Sequence, residues 1–401
     1  MDAYTVKDRD FVIIGLQPWD TTIGSNCKNI AIELSRNNRV LYVNYALDRK
    51  TLRDKKNDPQ VHHRLAVKAG KEPQLQKVGE SIWQFFPKST IESINVLPDG
   101  FIFDFFNKRN NRKLAAEIQD AIHRLGFKNY ILFNDSDMFR GFYLKEMLNP
   151  ALYIYYSRDN LLAVDYWKKH GLRLEPALMK KADLVTANSV YLARVAEKHN
   201  PKSYYIGQGC ETDQFSRDIN YPEPKDIKNV AQPRVGYIGA LYGLRLDINL
   251  LEQIARQRPQ WQLILVGPED DAFKNSGLHK MPNVHFTGPK KPSELPAYLN
   301  YFDVAINPQL LNEVTIGNYP RKIDEYLAMG KPAVATKTIA MEIFDGYVYL
   351  AENTADYLAM IEKALAENDP ALEQRRVEYA QSHTWENSVK ELYRHIVASG
   401  R

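Results

Sequence analysis

The chain has 401 residues, a formal net charge of +4, 44% hydrophobic and 25% charged residues. That length fits two domains of ordinary size, and the composition supports real cores rather than wholesale disorder. So small a charge on so long a chain leaves no electrostatic footprint for nucleic acid, which is not expected as a partner.

Cys27 and Cys210 lie far apart and form neither a metal-ligand spacing nor a disulfide framework, so a reducing cytosol is the expected compartment. The opening residues, MDAYTVKDRD, lack the apolar centre of a secretion signal. No apolar run approaches the ~20 residues that span a bilayer. The expectation is a cytoplasmic protein, soluble or peripheral on the inner face of a membrane.

In the first half, strand-like and helix-like segments alternate. Asp10–Gly15 (DFVIIG) reads as a buried strand, Ser25–Asn37 has helical spacing at Ile30, Ile32 and Leu34, and Arg39–Asn44 reads as a second strand. Asp48–Lys71 is rich in Lys, Arg and His without strong periodicity, and Asp99–Lys113 (DGFIFDFFNKRNNRK) sets apolar residues beside a basic run. An aromatic and basic stretch suits an anionic membrane surface; a core-facing helix with a solvated end has the same composition. Further strands are expected at Tyr130–Phe133, Leu152–Tyr156, Leu184–Ala187 and Tyr204–Ile206. Strands alternating with helices argue for a parallel sheet covered on both faces.

Residues 214–232 are polar, carry Pro222 and Pro224, and read as an interdomain linker. The predicted domains are therefore 1–213 and 233–382, with a final amphipathic helix in 383–401 whose Val389, Leu392 and Ile396 share one face. After the linker the alternation restarts. Strands are expected at Arg234–Ile238, Gln262–Val266, Val284–Thr287, Val304–Asn307 and Ala333–Thr336, and helices at Leu246–Gln257 and Ser293–Asn300. Beyond the first of these strands, Gly239, Gly243 and Arg245 form a loop. Its glycines let backbone N–H groups approach a phosphate, and Arg245 can grip a diphosphate with two parallel bonds.

The densest signal is NEVTIGNYPRKIDEYLAMGKPAVAT, from Asn312 to Thr336. A polar loop with Thr315, Gly317 and Asn318 leads to Pro320, which suits a helix start, and Gly330 suits its end. The unpaired N–H groups of such a helix start favour a phosphate. Lys322 adds a full charge there, and Glu325, one turn on, can accept from the two hydroxyls of a ribose. An ordinary helix–Gly–strand unit has the same spacing.

The pattern Pro320-x-Lys322-x-x-Glu325-Tyr326-x-Ala328-x-Gly330-x-Pro332 resembles the C-terminal signature of GT-B glycosyltransferases of the group 1 and family 4-like type, which serve bacterial polysaccharide biosynthesis. The resemblance implies an α/β fold of two Rossmann-like, doubly wound parallel-sheet domains facing a cleft, the last helix crossing back to the first domain. It implies that Glu325 binds the donor ribose, and that Gly239, Arg245, Thr315, Asn318 and Lys322 hold the donor diphosphate. It places the loop Gln17–Gly24, with Trp19, Asp20 and Gly24, on the acceptor side; a loop capped by Asp20 or Thr22 is the alternative. Many retaining members carry a second Glu eight residues before the first, where this chain has Gly317.

Asp159, in the stretch ALYIYYSRDN, resembles the strand-end general base of lipid-linked-sugar glucuronosyltransferases. A cap on a helix beginning near Leu161 is the alternative reading. The implied function is transfer of a sugar from UDP or GDP to a hydroxyl of a glycan or lipid-linked acceptor, with no cofactor and no metal. A nucleotide-binding scaffold without turnover, or a sugar-nucleotide epimerase or phosphorylase on the same fold, remains open.

Overall fold

The computed structural model describes residues 5–21, 24–210 and 212–400. The chain forms two units. One contains the residues up to Gly207 together with the chain from Trp385 onward; the other is Gln208–Thr384.

The first unit is built on eight strands: β1 (Asp10–Ile14), β2 (Arg39–Val43), β3 (Leu75–Lys77), β4 (Ile82–Phe85), β5 (Ile131–Asp135), β6 (Leu152–Ser157), β7 (Leu184–Ala187) and β8 (Ser203–Tyr205). Their order is β3-β4-β2-β1-β5-β6-β7-β8, and every pairing is parallel except β3 with β4. Strands β1 and β6 are buried along their whole length, as apolar runs covered by helices on both faces should be. The chain leaves β1 towards β2 and later returns to the other side of β1 with β5. The order therefore reverses between β1 and β5, the position where open α/β sheets receive ligands beyond their strand ends.

The second unit repeats the design with β9 (Arg234–Ile238), β10 (Gln262–Val266), β11 (Val284–Gly288), β12 (Val304–Asn307), β13 (Ala333–Thr336) and β14 (Tyr349–Ala351). Their order is β11-β10-β9-β12-β13-β14, and every pairing is parallel. The switch point lies between β9 and β12.

Several expectations need revision. Asp48–Lys71 contains two helices, Arg49–Asp54 and Pro59–Lys68, whose N-caps Asp48 and Asp58 accept from the following backbone N–H groups. Their shortness hid the period. Strands β3, β4 and β14 have three or four residues each, too few for a pattern. Residues 214–232 contain no helix or strand, but Phe215 and Ile227 are buried in the core of the second unit. Two apolar side chains in a polar stretch leave no periodicity, yet they bind the segment to that core. The helix expected near Leu161 is a short 3-10 turn at Leu161–Ala163, and the α-helix starts at Asp165.

The final helix, Trp385–Ala398, belongs to the first unit. Its Val389, Leu392, Tyr393 and Ile396 share a core with Ile30 and Leu34. The Asn38 side-chain amide donates to Tyr393 Oη at 2.8 Å. Among the described residues no helix is long and apolar enough to cross a membrane.

Candidate functional site

The helix Arg321–Ala328 follows Pro320, which supplies no side-chain cap, so the helix start carries no oxygen from its own N-cap side chain. Met329 and Gly330 end it, with Gly330 at φ +69°. Strand β13 follows. Within the helix, Asp324 and Glu325 are adjacent, about 100° apart around the axis, and this separates their roles. Asp324 is fully buried, accepting from His383 Nδ1 at 2.5 Å and from Cys210 Sγ at 3.0 Å. These contacts set the rotation of the helix. Burial, and next the Asp324 carboxylate, push the Cys210 thiol up.

That rotation turns Glu325 into a cavity of about 420 Å³ at the carboxyl ends of β9 and β12. Gly239, Arg245, Thr315, Asn318, Lys322 and Glu325 all line it, so the structure gathers the six predicted donor-site residues in one place. Arg321, Tyr237 and Asn307 line it too. Glu325 makes no hydrogen bond with any described residue. Burial raises its carboxyl above the ordinary range, and Arg321 and then Lys322 oppose that rise.

Lys322 Nζ donates to Tyr237 Oη at 2.9 Å and lies 4.7 Å from the ring centroid. The buried Arg321 Nε has no partner among the described residues, and Arg245 is exposed. Neither guanidinium meets a carboxylate among the described residues. Three cations and one carboxylate therefore face one cavity. Thr315 is buried, and its hydroxyl donates to Leu310 O within its own loop. It shapes the wall of the cavity.

The loop after β9 is held in place. Gly239 N donates to Val266 O at 2.9 Å, Gly243 N to Asp270 Oδ2 at 2.9 Å, and Leu310 N to Arg245 O at 2.9 Å. Gly239 has φ +144°, and a Cβ there would stand 2.8 Å from Tyr237 Oη. A side chain would disturb the tyrosine that positions Lys322. Gly317 is buried, while Glu313 is exposed and does not line the cavity. No carboxylate from this loop reaches it.

The N-terminal candidates are placed differently. Asp20 forms a two-bonded ion pair with Arg64, both distances 3.0 Å. Trp19 packs edge-on to Tyr42, and its backbone N–H donates to Asn44 Oδ1. Gly24 is exposed; Thr22 and Ile23 of the same loop lie outside the described residues. Asp159 follows β6 and is half-exposed. Its Oδ2 meets Arg158 Nη1 at 2.7 Å, while Arg158 Nε meets Asp135 Oδ1 at 2.7 Å. The 3-10 turn that follows has no side-chain cap. A second cavity, of about 530 Å³, lies beyond the ends of β1, β2, β4 and β5. Trp19, Asp20, Gly24 and Asp159 are not among the residues lining it.

Residues 232–367 match the family described as Glycosyl transferases group 1. That stretch of the second unit is similar to group 1 glycosyltransferases. The match spans β9 to the helix Thr354–Leu365, and so contains the whole 420 Å³ cavity. A curated Bacillus subtilis (strain 168) protein, named as a teichuronic acid biosynthesis glycosyltransferase, TuaH, is 28% identical over 252 residues. The alignment covers 60% of this chain and 62% of that relative.

Solved structures share the fold along nearly the whole chain. Sucrose-phosphate synthase from Thermosynechococcus elongatus has a TM-score of 0.63 at 17% identity, covering 97% of this chain and 99% of that one. Anabaena HepE in complex with UDP has a TM-score of 0.61 at 16% identity, covering 98% and 100%. The UDP-forming α,α-trehalose-phosphate synthase from Burkholderia vietnamiensis has a TM-score of 0.64 at 11% identity, covering 98% and 96%. The fold shared with these structures is GT-B.

Beyond the predicted set, sequence reading missed Asp324 and Tyr237 as positioning residues. Asp324 gave no signal because its partners, Cys210 and His383, lie 114 and 59 positions away.

Proposed function

We propose that this protein transfers a sugar from a nucleoside diphosphate, UDP or GDP, to a hydroxyl of a glycan or glycolipid acceptor in surface polysaccharide assembly. One observation carries the reading: Glu325 stands unpaired among the described residues in a cavity that also receives Arg245, Arg321 and Lys322. A carboxylate accepts from both ribose hydroxyls. The cations match a diphosphate, whose negative charge grows as the bond to the sugar breaks. UDP is the favoured carrier, since HepE structures contain UDP or UDP-glucose. The name of the Bacillus relative supports the polysaccharide setting.

In the step itself, the acceptor oxygen bonds to the anomeric carbon and the bond from that carbon to the diphosphate breaks. Its electron pair leaves with the diphosphate. The acceptor proton passes to a base, which we assign to Asp159, held in place by Arg158. Thermal shifts with UDP, GDP and ADP test the donor half. A rise with UDP or GDP, lost in Glu325→Ala and kept in Asp159→Asn while transfer is lost, is the expected result. No rise with any nucleotide overturns the reading.

The acceptor's lipid side is assigned to the start of the helix Phe101–Leu125. Phe101 is 84% exposed, Phe105 54%, Ile102 49% and the preceding Val96 73%. Arg49, Lys50 and Arg53 share a depression with Val96 and Phe106. Exposed apolar side chains beside cations match an anionic bilayer surface. Co-sedimentation with phosphatidylglycerol vesicles should exceed that with phosphatidylcholine vesicles, and should drop in Phe101→Ser/Phe105→Ser. Equal pelleting with both lipids, or no effect of the substitutions, excludes this surface.

A further inference from the structure

Asp135 is a buried carboxylate to which the transfer step gives no role. It ends β5, which lies between β1 and β6 in the sheet. The three strands run parallel, so their carboxyl ends share one edge. A side chain at the end of the middle strand can therefore reach the chain leaving both neighbours. Asp135 does so. Its Oδ2 accepts from Leu16 N at 3.2 Å, just beyond β1, and its Oδ1 from Arg158 Nε at 2.7 Å, just beyond β6. Tyr42 Oη fixes the next residue of the β1 loop, donating to Gln17 O at 2.6 Å.

Asp135 is fully buried and Arg158 is 8% exposed. A cation at that depth needs a counter-charge, and Arg158 has two. Asp135 holds Nε, and Asp159 Oδ2 meets Nη1 at 2.7 Å. Burial works against the charge on Arg158; Asp135 and then Asp159 outweigh it and hold the guanidinium above its ordinary value. Cys27, Tyr42 and Tyr156 pack on the same pair and stay neutral. Burial, and next the Asp135 charge, push the Cys27 thiol up, and burial leads the rise for both tyrosines.

Two carboxylates thus share one guanidinium, and they are not equivalent. Asp135 is enclosed with both oxygens engaged, whereas the Asp159 side chain is half-exposed. The difference bears on proton transfer. A guanidinium beside a carboxylate favours its ionised form and makes it a poorer base. A second carboxylate on the same guanidinium opposes that effect.

We propose that Asp135 is a positioning residue for sugar transfer: it anchors Arg158 beside Asp159 and offsets the guanidinium charge, so that Asp159 keeps the proton affinity of a working base. The inference rests on the assignment of Asp159 as the base, and adds the residue that maintains it.

Carbon-13 NMR titration of the Asp159 carboxyl in the full chain tests it without any substrate, the signal being assigned by its loss in Asp159→Asn. In Asp135→Asn, which keeps the side-chain volume, Asp159 should titrate about one pH unit lower than in wild type, because Arg158 then faces one carboxylate alone. A merely structural role predicts the opposite, since a loosened Arg158 lets Asp159 titrate higher. Should Asp135→Asn not fold, because it leaves a buried cation less compensated, the variant Asp135→Asn/Arg158→Gln decides. It has neither buried charge, and Asp159, freed of the nearer cation, should titrate higher than in wild type. A titration unmoved or raised in Asp135→Asn, or unmoved or lowered in the double variant, overturns the inference. Failure of the underlying reading looks different: transfer retained in Asp159→Asn strikes the base assignment, and the role in transfer with it, while the titrations still report the link from Asp135 to Asp159.

Discussion

Glu325 and Asp324 are chemically alike and adjacent, yet one faces a cavity and the other is buried against His383 and Cys210. The residue type does not decide the role; the 100° step of the helix does. Glu175 shows the same dependence on surroundings. It sits inside the helix Asp165–Lys181 and accepts from Tyr155 Oη at 2.8 Å. Burial pushes its carboxyl up to about 7 from an ordinary 4.5. The folded state then holds this proton more tightly than the unfolded state. Stability from this group is greatest below pH 4.5, falls as pH rises, and levels off above about pH 7. The difference amounts to about 3 kcal/mol. Glu175→Gln keeps the acceptor for Tyr155 and removes the titration, so its melting temperature should fall less between pH 5 and pH 8. Parallel slopes for both proteins in thermal melts would refute this.

Among the elements, the two kinds of helix were unequally legible. The helix Arg321–Ala328 was readable because Pro320 and Gly330 punctuate it and Lys322 and Glu325 fall at the right offsets. The helix Trp385–Ala398 showed its apolar face, but the face alone does not name its partner. In the structure that face covers the first unit, with Val389, Leu392, Tyr393 and Ile396 buried. Each buried side chain of this size is worth about 2 kcal/mol. Deleting residues 385–401 should therefore lower the unfolding transition of the first unit by several degrees or abolish it. The UDP-dependent rise of the second unit should survive. Calorimetry of the truncated chain with and without UDP checks this, and a change confined to the second unit's transition would contradict the assignment.

For the whole molecule, each sheet reverses its strand order once, and each reversal carries a cavity. The 420 Å³ cavity could be traced in the sequence because most of its lining comes from one window, Asn307 to Glu325, and one loop, Tyr237 to Leu246. The other cavity could not. Its lining comes from the chain after four strands and from the start of the helix Asp165–Lys181, so residues as distant as Leu16 and Trp167 meet there. Trp19, Asp20 and Gly24 were the reading available from one loop alone, and none of them lines it.

The sequence by itself determined the parallel sheets, because strands buried on both faces are unbroken apolar runs. It also determined the order of the principal elements and the composition of the loop and helix that line the 420 Å³ cavity. Only the tertiary structure decided which partners bury Asp324, which side chains the final helix packs against, and which side chains of the first unit share a pocket. Those outcomes rest on contacts between residues far apart in the chain, and local periodicity carries no record of them.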